Sequence, residues 1–369
     1  VNPLNMNKIY LTSLLLIYSY FSFAQISVWD GGGDGIKWGD KANWVGDELP
    51  EKESIVQIAN DSVLVSEAIE IRKLELQPNG ILYQESGNND VFTIAESADY
   101  GVVIDGSAKL YVNGEFHILQ ANLGSIDLQV NGSLMIEQDG LLYIAETNGD
   151  GINGGIGAIF RNEGQLYIEE TGSDGIDVRN FYNEGLINIE DSGDAAMKIN
   201  TTNGVNKGDI YTEEAINFQS SSQFLNDTGS ILQSNGGISV VGDFMNLGEL
   251  RCRNTIGISL NLASSDIFTN EGNIRFRLSN DTNIRLSNNA EFINGEDGFI
   301  GTYNTAASPL PDIFAISMQS SDPIFTNRGK IVLDLQNTRE GIEIKGKGIF
   351  YNYDSVYVSN YYSKGITVS

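Results

Sequence analysis

The chain has one cysteine, one histidine and six prolines in 369 residues, and cations are scarce, with 22 Lys+Arg against 49 Asp+Glu. A single cysteine excludes a disulfide framework and a Cys-ligated zinc or iron–sulfur centre. A single histidine, His117, leaves no second imidazole for a multi-histidine metal site or a triad variant. The balance 22 − 49 = −27 makes nucleic acid an unsuitable partner, because phosphate recognition draws on clusters of Lys and Arg. No long 3.6-periodic segment follows residue 24, so a helical architecture has nothing to build on. What abounds is glycine, 41 residues, and the hydrophobic content of 41% is enough for a core.

Residues 1–24 read as a leader and signal peptide. Met6-Asn7-Lys8 opens a short basic region, Ile9 to Phe23 is apolar, and Ser22-Phe23-Ala24 sets cleavage before Gln25. The apolar run is about 15 residues, short of the ~20 that span a bilayer. The mature chain is therefore expected to carry no membrane span and to be exported, to the extracellular medium or the outer cell surface. Residues 25–54 form an opening segment, and 55–369 the repeat region.

That region carries the phrase F-x-N-x-G-x-[IL]-x-h, with h an apolar residue. It reads FRNEGQLYI from Phe160, FYNEGLINI from Phe181, FMNLGELRC from Phe244, FTNEGNIRF from Phe268 and FTNRGKIVL from Phe325, with looser copies at Phe224, Phe292 and Phe350. A second phrase alternates with it, from GIDV at Gly175 through GISV at Gly237 to GITV at Gly365. Asn162, Asn183, Asn206, Asn226, Asn246, Asn270, Asn294, Asn327 and Asn352 are spaced by 21, 23, 20, 20, 24, 24, 33 and 25 residues, a solenoid period. Within the phrase the apolar residues, Asn and Gly occupy alternate positions, the period of a strand. Stacking like phrase on like phrase predicts an all-β fold, a single-stranded parallel β-helix (β-solenoid) of about a dozen coils with 20–25 residues each. Its core would hold a column of Phe rings at the ~4.8 Å strand spacing. Beside it the inward Asn amides would bond from coil to coil, since an unpaired buried amide is costly. The Asn and Gly of each phrase are expected to supply the left-handed backbone of a corner. TNGDGINGG from Thr147 and TYNTAASPLPD from Thr302 read as insertions, and the stop at GITVS, partway into a coil, leads us to expect further sequence beyond Ser369.

The segment VWDGGGDGIKWGDKANWVGDELP, Val28 to Pro50, resembles the opening of exported bacterial β-solenoid surface proteins through Trp29, Trp38, Trp44 and Pro50. The coils after it are similar to those of adhesin-like, filamentous-haemagglutinin-type and pectate-lyase-type β-helices. The resemblance implies a right-handed helix and a displayed or secreted protein with an adhesin-like or structural role. It also implies an alternative, a polysaccharide lyase or glycoside hydrolase, which would place a Lys or Arg base beside a carboxylate-bound cation.

Within a chain of charge −27 the local positive patch is arginine. Arg251 and Arg253 follow Phe244 by seven and nine residues, and Arg275 and Arg277 follow Phe268 by the same offsets, with Arg285 expected nearby. Outward and on adjacent coils, they suit the sulfate or carboxylate groups of an acidic glycan. Alternatively, they neutralise neighbours such as Glu249 and Glu271. No catalytic residue is identified. No cofactor is assigned beyond Ca²⁺, for which Asp30, Asp34, Asp40 and Asp47, or Asp150, are candidate ligands without the ordered spacing of a calcium loop. His117 is read as a solvated strand residue, Cys252 as a small core residue, and Glu169, Glu170, Glu190 and Asp191 as a solvated face. Tyr351, Tyr353, Tyr357, Tyr361 and Tyr362 suit sugar stacking or strand propensity equally.

Overall fold

A computed structural model of the chain describes residues 25–369 except 86, 88–89, 201–202, 254–256, 264–266, 278–280, 303–313, 320, 336–339 and 362–363. The leader, most of the segment after Thr302, and Tyr362 lie outside the described residues. Most repeats are one coil with three short strands. In one coil these are Ile176–Val178, Asn180–Asn183 and Leu186–Ser192, which define faces 1, 2 and 3. Met197–Ile199, Gly204–Asn206 and Asp209–Thr212 repeat them in the next coil. Counterparts pair in parallel, as in Ile176↔Met197, Tyr182↔Val205 and Ile187↔Ile210. Among the described residues face 3 is a 13-stranded sheet. Faces 1 and 2 merge into one sheet, of 26 strands among the described residues, because Ile216–Asn226 and Ile238–Asn246 run unbroken through the corner between them. The fold is a right-handed, all-β parallel solenoid.

The first phrase is therefore not one strand. Ile159–Asn162 closes face 2 and Gln165–Thr171 opens face 3, with the bend at Glu163-Gly164. Alternation survives the bend, so Phe160, Asn162, Gly164, Leu166 and Ile168 are all buried. The expected conformations of this corner are not those found. None of Asn162, Asn183, Gly164 or Gly185 has positive φ. Glycine is needed there for close approach: a Cβ on Gly185 would press onto the carbonyl oxygen of Gly164, and one on Gly208 onto that of Gly185, each well inside 3.0 Å. Left-handed backbone appears instead at the exit of face 3, where Glu96, Gln120, Glu146, Glu170 and Asp191 have φ between 54° and 59°, and in the upstream turns at Asn79 and Asn131. Gly185→Ala is accordingly expected to lower stability by about 1–3 kcal/mol through backbone displacement. Denaturant unfolding checks this, and an unchanged midpoint would mean that the corner can open.

The core is built of columns. Phe244, Phe268, Phe292 and Phe325 stack at centroid separations of 4.9, 4.9 and 4.6 Å, the first pair within 3° of parallel. Gly204 replaces Phe in one coil. There Phe181 and Phe224 are 6.0 Å apart and tilted, and Phe218 from face 1 lies 4.5 Å from Phe224. The asparagines form an unbroken buried ladder. Nδ2 of Asn162, Asn183, Asn206, Asn226, Asn246, Asn270, Asn294 and Asn327 each donates to Oδ1 of the next asparagine, at 2.7–2.8 Å. Second donations to backbone carbonyls, such as Asn162 Nδ2 to Leu186 O at 3.0 Å, complete each amine. The ladder begins where Ile136 gives way to Asn162, whose Oδ1 is buried without a partner.

At the other end of the core the opening segment contributes Ile26–Val28 to face 1, paired with Ile55–Ile58. Trp38 and Trp44 meet edge to face at 4.8 Å, and Trp38 stands 5.6 Å from Phe92, so the indoles cover the first coils. Asn43 holds this cover together. Its Oδ1 accepts from the Gly33 and Gly35 amides, and its Nδ2 donates to Asp34 Oδ1 and Lys37 O, all at 2.8–2.9 Å. A fully buried amide with all four partners fixes a loop that has little regular structure. The expected insertion at Thr147 is not one. Asp150–Gly154 is a face 1 strand, aligned with Gly124–Leu128 and Ile176–Val178, and its DGING is an ordinary strand of that face with glycine at two of its buried positions.

Candidate functional site

The four arginines come together on face 3. Glu249–Cys252 and Asn273–Phe276 are neighbouring strands in the register Arg251↔Arg275, and Arg253 and Arg277 follow one residue past each strand. Inward Leu250, Cys252, Ile274 and Phe276 anchor the strands, so the alternate arginines point out. Glu249 is bound by both Arg251, at 2.7 Å, and Arg275, at 3.6 Å. The Arg251 hydrogen bond, then its charge and those of Arg275 and Arg253, hold the Glu249 carboxyl below its ordinary range against the opposing effect of burial. Glu249 is thus neutralised, while Arg253 and Arg277 are exposed on the same face. Arg285 is elsewhere, on the face 1 strand Ile284–Leu286, where it pairs with Asp281 at 3.1 Å. The offset from Phe that aligned the other four carries no information about a residue on another face.

Face 1 holds a polar groove that the sequence reading did not identify. It measures about 520 Å³ and is lined by Lys73, Glu75, Asp99, Tyr100, Asp127 and Gln129 among others. Lys73 Nζ lies 3.0 Å from both Glu75 Oε1 and Asp99 Oδ2. Further along the same face Asp177 is pushed above its ordinary range by burial and by the charges of Asp174 and Asp150. The signal was the outward column Glu75, Val103, Asp127, Asn153, Asp177, visible only once the face 1 register is known.

The remaining candidates are engaged locally. Asp34 Oδ1 accepts from Ile36 N, Lys37 N and Asn43 Nδ2, and these bonds, the Lys37 amide foremost, lower its carboxyl to about 2. Asp40 accepts from the Asp34 and Ala42 amides, Asp30 from the Gly32 amide, and Asp150 from the Asp174 amide, while Asp47 occupies a left-handed turn. Among the described residues no group of three or more His, Cys, Asp or Glu is placed to hold a metal ion. His117 is outward on face 3 and pairs with Glu115 at 2.8 Å. Cys252 is buried, and burial pushes its thiol up to about 12, consistent with a core residue. Tyr351, Tyr353, Tyr357 and Tyr361 are exposed, on two different faces or the corners beside them. Among the described residues no helix is long and apolar enough to cross a membrane.

Compared with known protein families, curated proteins and solved structures, the chain matches none of them.

Proposed function

We propose that the chain is an exported β-solenoid rod that works as an adhesin-like or structural segment and engages acidic glycans through Arg251, Arg253, Arg275 and Arg277. The observation that carries this reading is the juxtaposition of two arginine-bearing strands in register, sharing Glu249 as a common carboxylate. Guanidinium groups spaced by the strand repeat present a planar fork to each sulfate or carboxylate of a regular polymer. The Asn ladder from Asn162 to Asn352 and the stacked Phe rings beside it supply the stiffness that such a rod needs. Replacing all four arginines by glutamine is expected to weaken binding to immobilised heparin or polygalacturonate at least tenfold, roughly the loss of one strong charge contact. Binding by the unsubstituted chain should fall steeply with salt. Equal binding by the two chains removes the patch from the function.

The second reading is a polysaccharide lyase or glycoside hydrolase working in the face 1 groove, favoured by Lys73 set between Glu75 and Asp99. Release of unsaturated or reducing sugars from an acidic polysaccharide, abolished by Lys73→Met, would establish it over the first.

A further inference from the structure

The outward side chains at the end of face 3 read, on six successive coils, Glu169, Glu190, Glu213, Asn235, Arg253 and Arg277. Register fixes this column. Glu169 pairs directly with Glu190, and the pairs Ile189↔Thr212, Thr212↔Ser234, Ser234↔Cys252 and Cys252↔Phe276 carry the alignment onward, each one residue before the column. The column changes sign at Asn235, with the acid half on one side and the base half on the other. Glu190, Glu213, Arg253 and Arg277 are all exposed. Stacking like charges directly opposite is unfavourable within one chain. Among the described residues Glu169, Glu190 and Glu213 form no ion pair; they accept hydrogen bonds from Tyr143, Asn188 and Asn235, at 2.7, 2.8 and 2.9 Å.

A two-fold axis lying in the plane of face 3, along strand Ile231–Ser234, would reverse the coil order and set each column against itself. Glu213 then meets Arg253 of a second copy, Glu190 meets Arg277, Asn235 faces Asn235, and each charge contact occurs twice. In the neighbouring outward column Tyr211 falls opposite Arg251 and Asn188 opposite Arg275. Asp209 falls opposite Glu249, an unfavourable contact, but Glu249 is already bound by Arg251 and Arg275. We propose that face 3 is the contact surface of an antiparallel two-fold homodimer, held by Glu190 and Glu213 of each copy against Arg277 and Arg253 of the other. The inference does not rest on glycan binding. It implies that a second copy and an anionic polymer compete for the same arginines.

Sedimentation velocity of the chain alone at low ionic strength tests it. A dimer is expected, with a dissociation constant that rises with salt. Glu190→Arg and Arg277→Glu are each expected to raise that constant about tenfold or more, because each creates two like-charge contacts. An equimolar mixture of the two variants should dimerise as the unsubstituted chain does, since it restores opposite charge at both contacts; this also excludes misfolding of either variant. A monomeric unsubstituted chain, an Arg277→Glu chain that dimerises normally, or a mixture no tighter than its components overturns the proposal. A monomer that still binds heparin would overturn the dimer and leave the glycan reading standing.

Discussion

An Asn246→Leu chain is expected to unfold at markedly lower denaturant, with a loss of about 2–6 kcal/mol. Asn246 Oδ1 accepts from Asn226, and its Nδ2 donates to Asn270 Oδ1 at 2.7 Å and to Asn273 O at 3.2 Å. Leucine fills the space but strands a donor on Asn226 and an acceptor on Asn270, both buried. Each orphaned buried group costs about 1–3 kcal/mol, which sets the range. A loss below about 1 kcal/mol in equilibrium unfolding would mean that the backbone carbonyls alone satisfy the neighbours. Asn246→Asp separates the two roles by pH. An ionised carboxylate can accept from Asn226 but repels Asn270 Oδ1, so burial should hold its folded-state pKa above the unfolded value of ~3.9. The folded variant then binds more protons than the unfolded one between those values. Its stability, relative to the unsubstituted chain, should be highest below the unfolded pKa and fall as pH rises through the folded one. A deficit independent of pH would contradict the acceptor-to-acceptor contact.

Phe268→Ala is expected to cost about 3–5 kcal/mol, the usual penalty for emptying a buried aromatic site. Phe268 is fully buried and sandwiched at 4.9 Å between Phe244 and Phe292, so neither neighbour can close the gap without leaving its own partner. Phe350→Ala serves as the comparison. Phe350 is half-buried, meets one ring of the column among the described residues, Phe325 at 5.3 Å and tilted, and should cost much less. Equal losses in the two variants would contradict the stacked core. Because coils interact chiefly with their neighbours, a break in the middle should also divide unfolding into two steps.

The Phe and Asn columns were legible in the sequence because their identity repeats and burial imposes one inward register on them. The corner was not, because alternation continues through the Glu163-Gly164 bend and leaves no break in the pattern. The glycines of that corner were correctly located and wrongly explained, since close backbone approach and left-handed φ select the same residue. Arg251 and Arg275 were found through their equal distance from Phe244 and Phe268, a ruler that works within faces 2 and 3. It fails for Arg285 and for the Lys73 groove on face 1. There coil lengths vary, and Val103 and Asn153 interrupt the acidic column. The sign change about Asn235 stays hidden for the same reason: residues spaced unevenly along the chain become neighbours only through the ladder of pairings.

The asparagine ladder has a direction. Each amine points to the coil of higher number, so the side-chain amide dipoles, each ~3.5 D like a backbone amide, add along the axis instead of cancelling. Neighbouring amides polarise one another in such a line. Its negative pole is the unpartnered Oδ1 of Asn162, and its positive pole is Asn352, whose Nδ2 ends on Asp354 O at 2.7 Å. The rod is thus an electrical vector as well as a mechanical one. Flipping any one amide would set oxygen against oxygen on one side and nitrogen against nitrogen on the other, so the column turns as a whole or not at all.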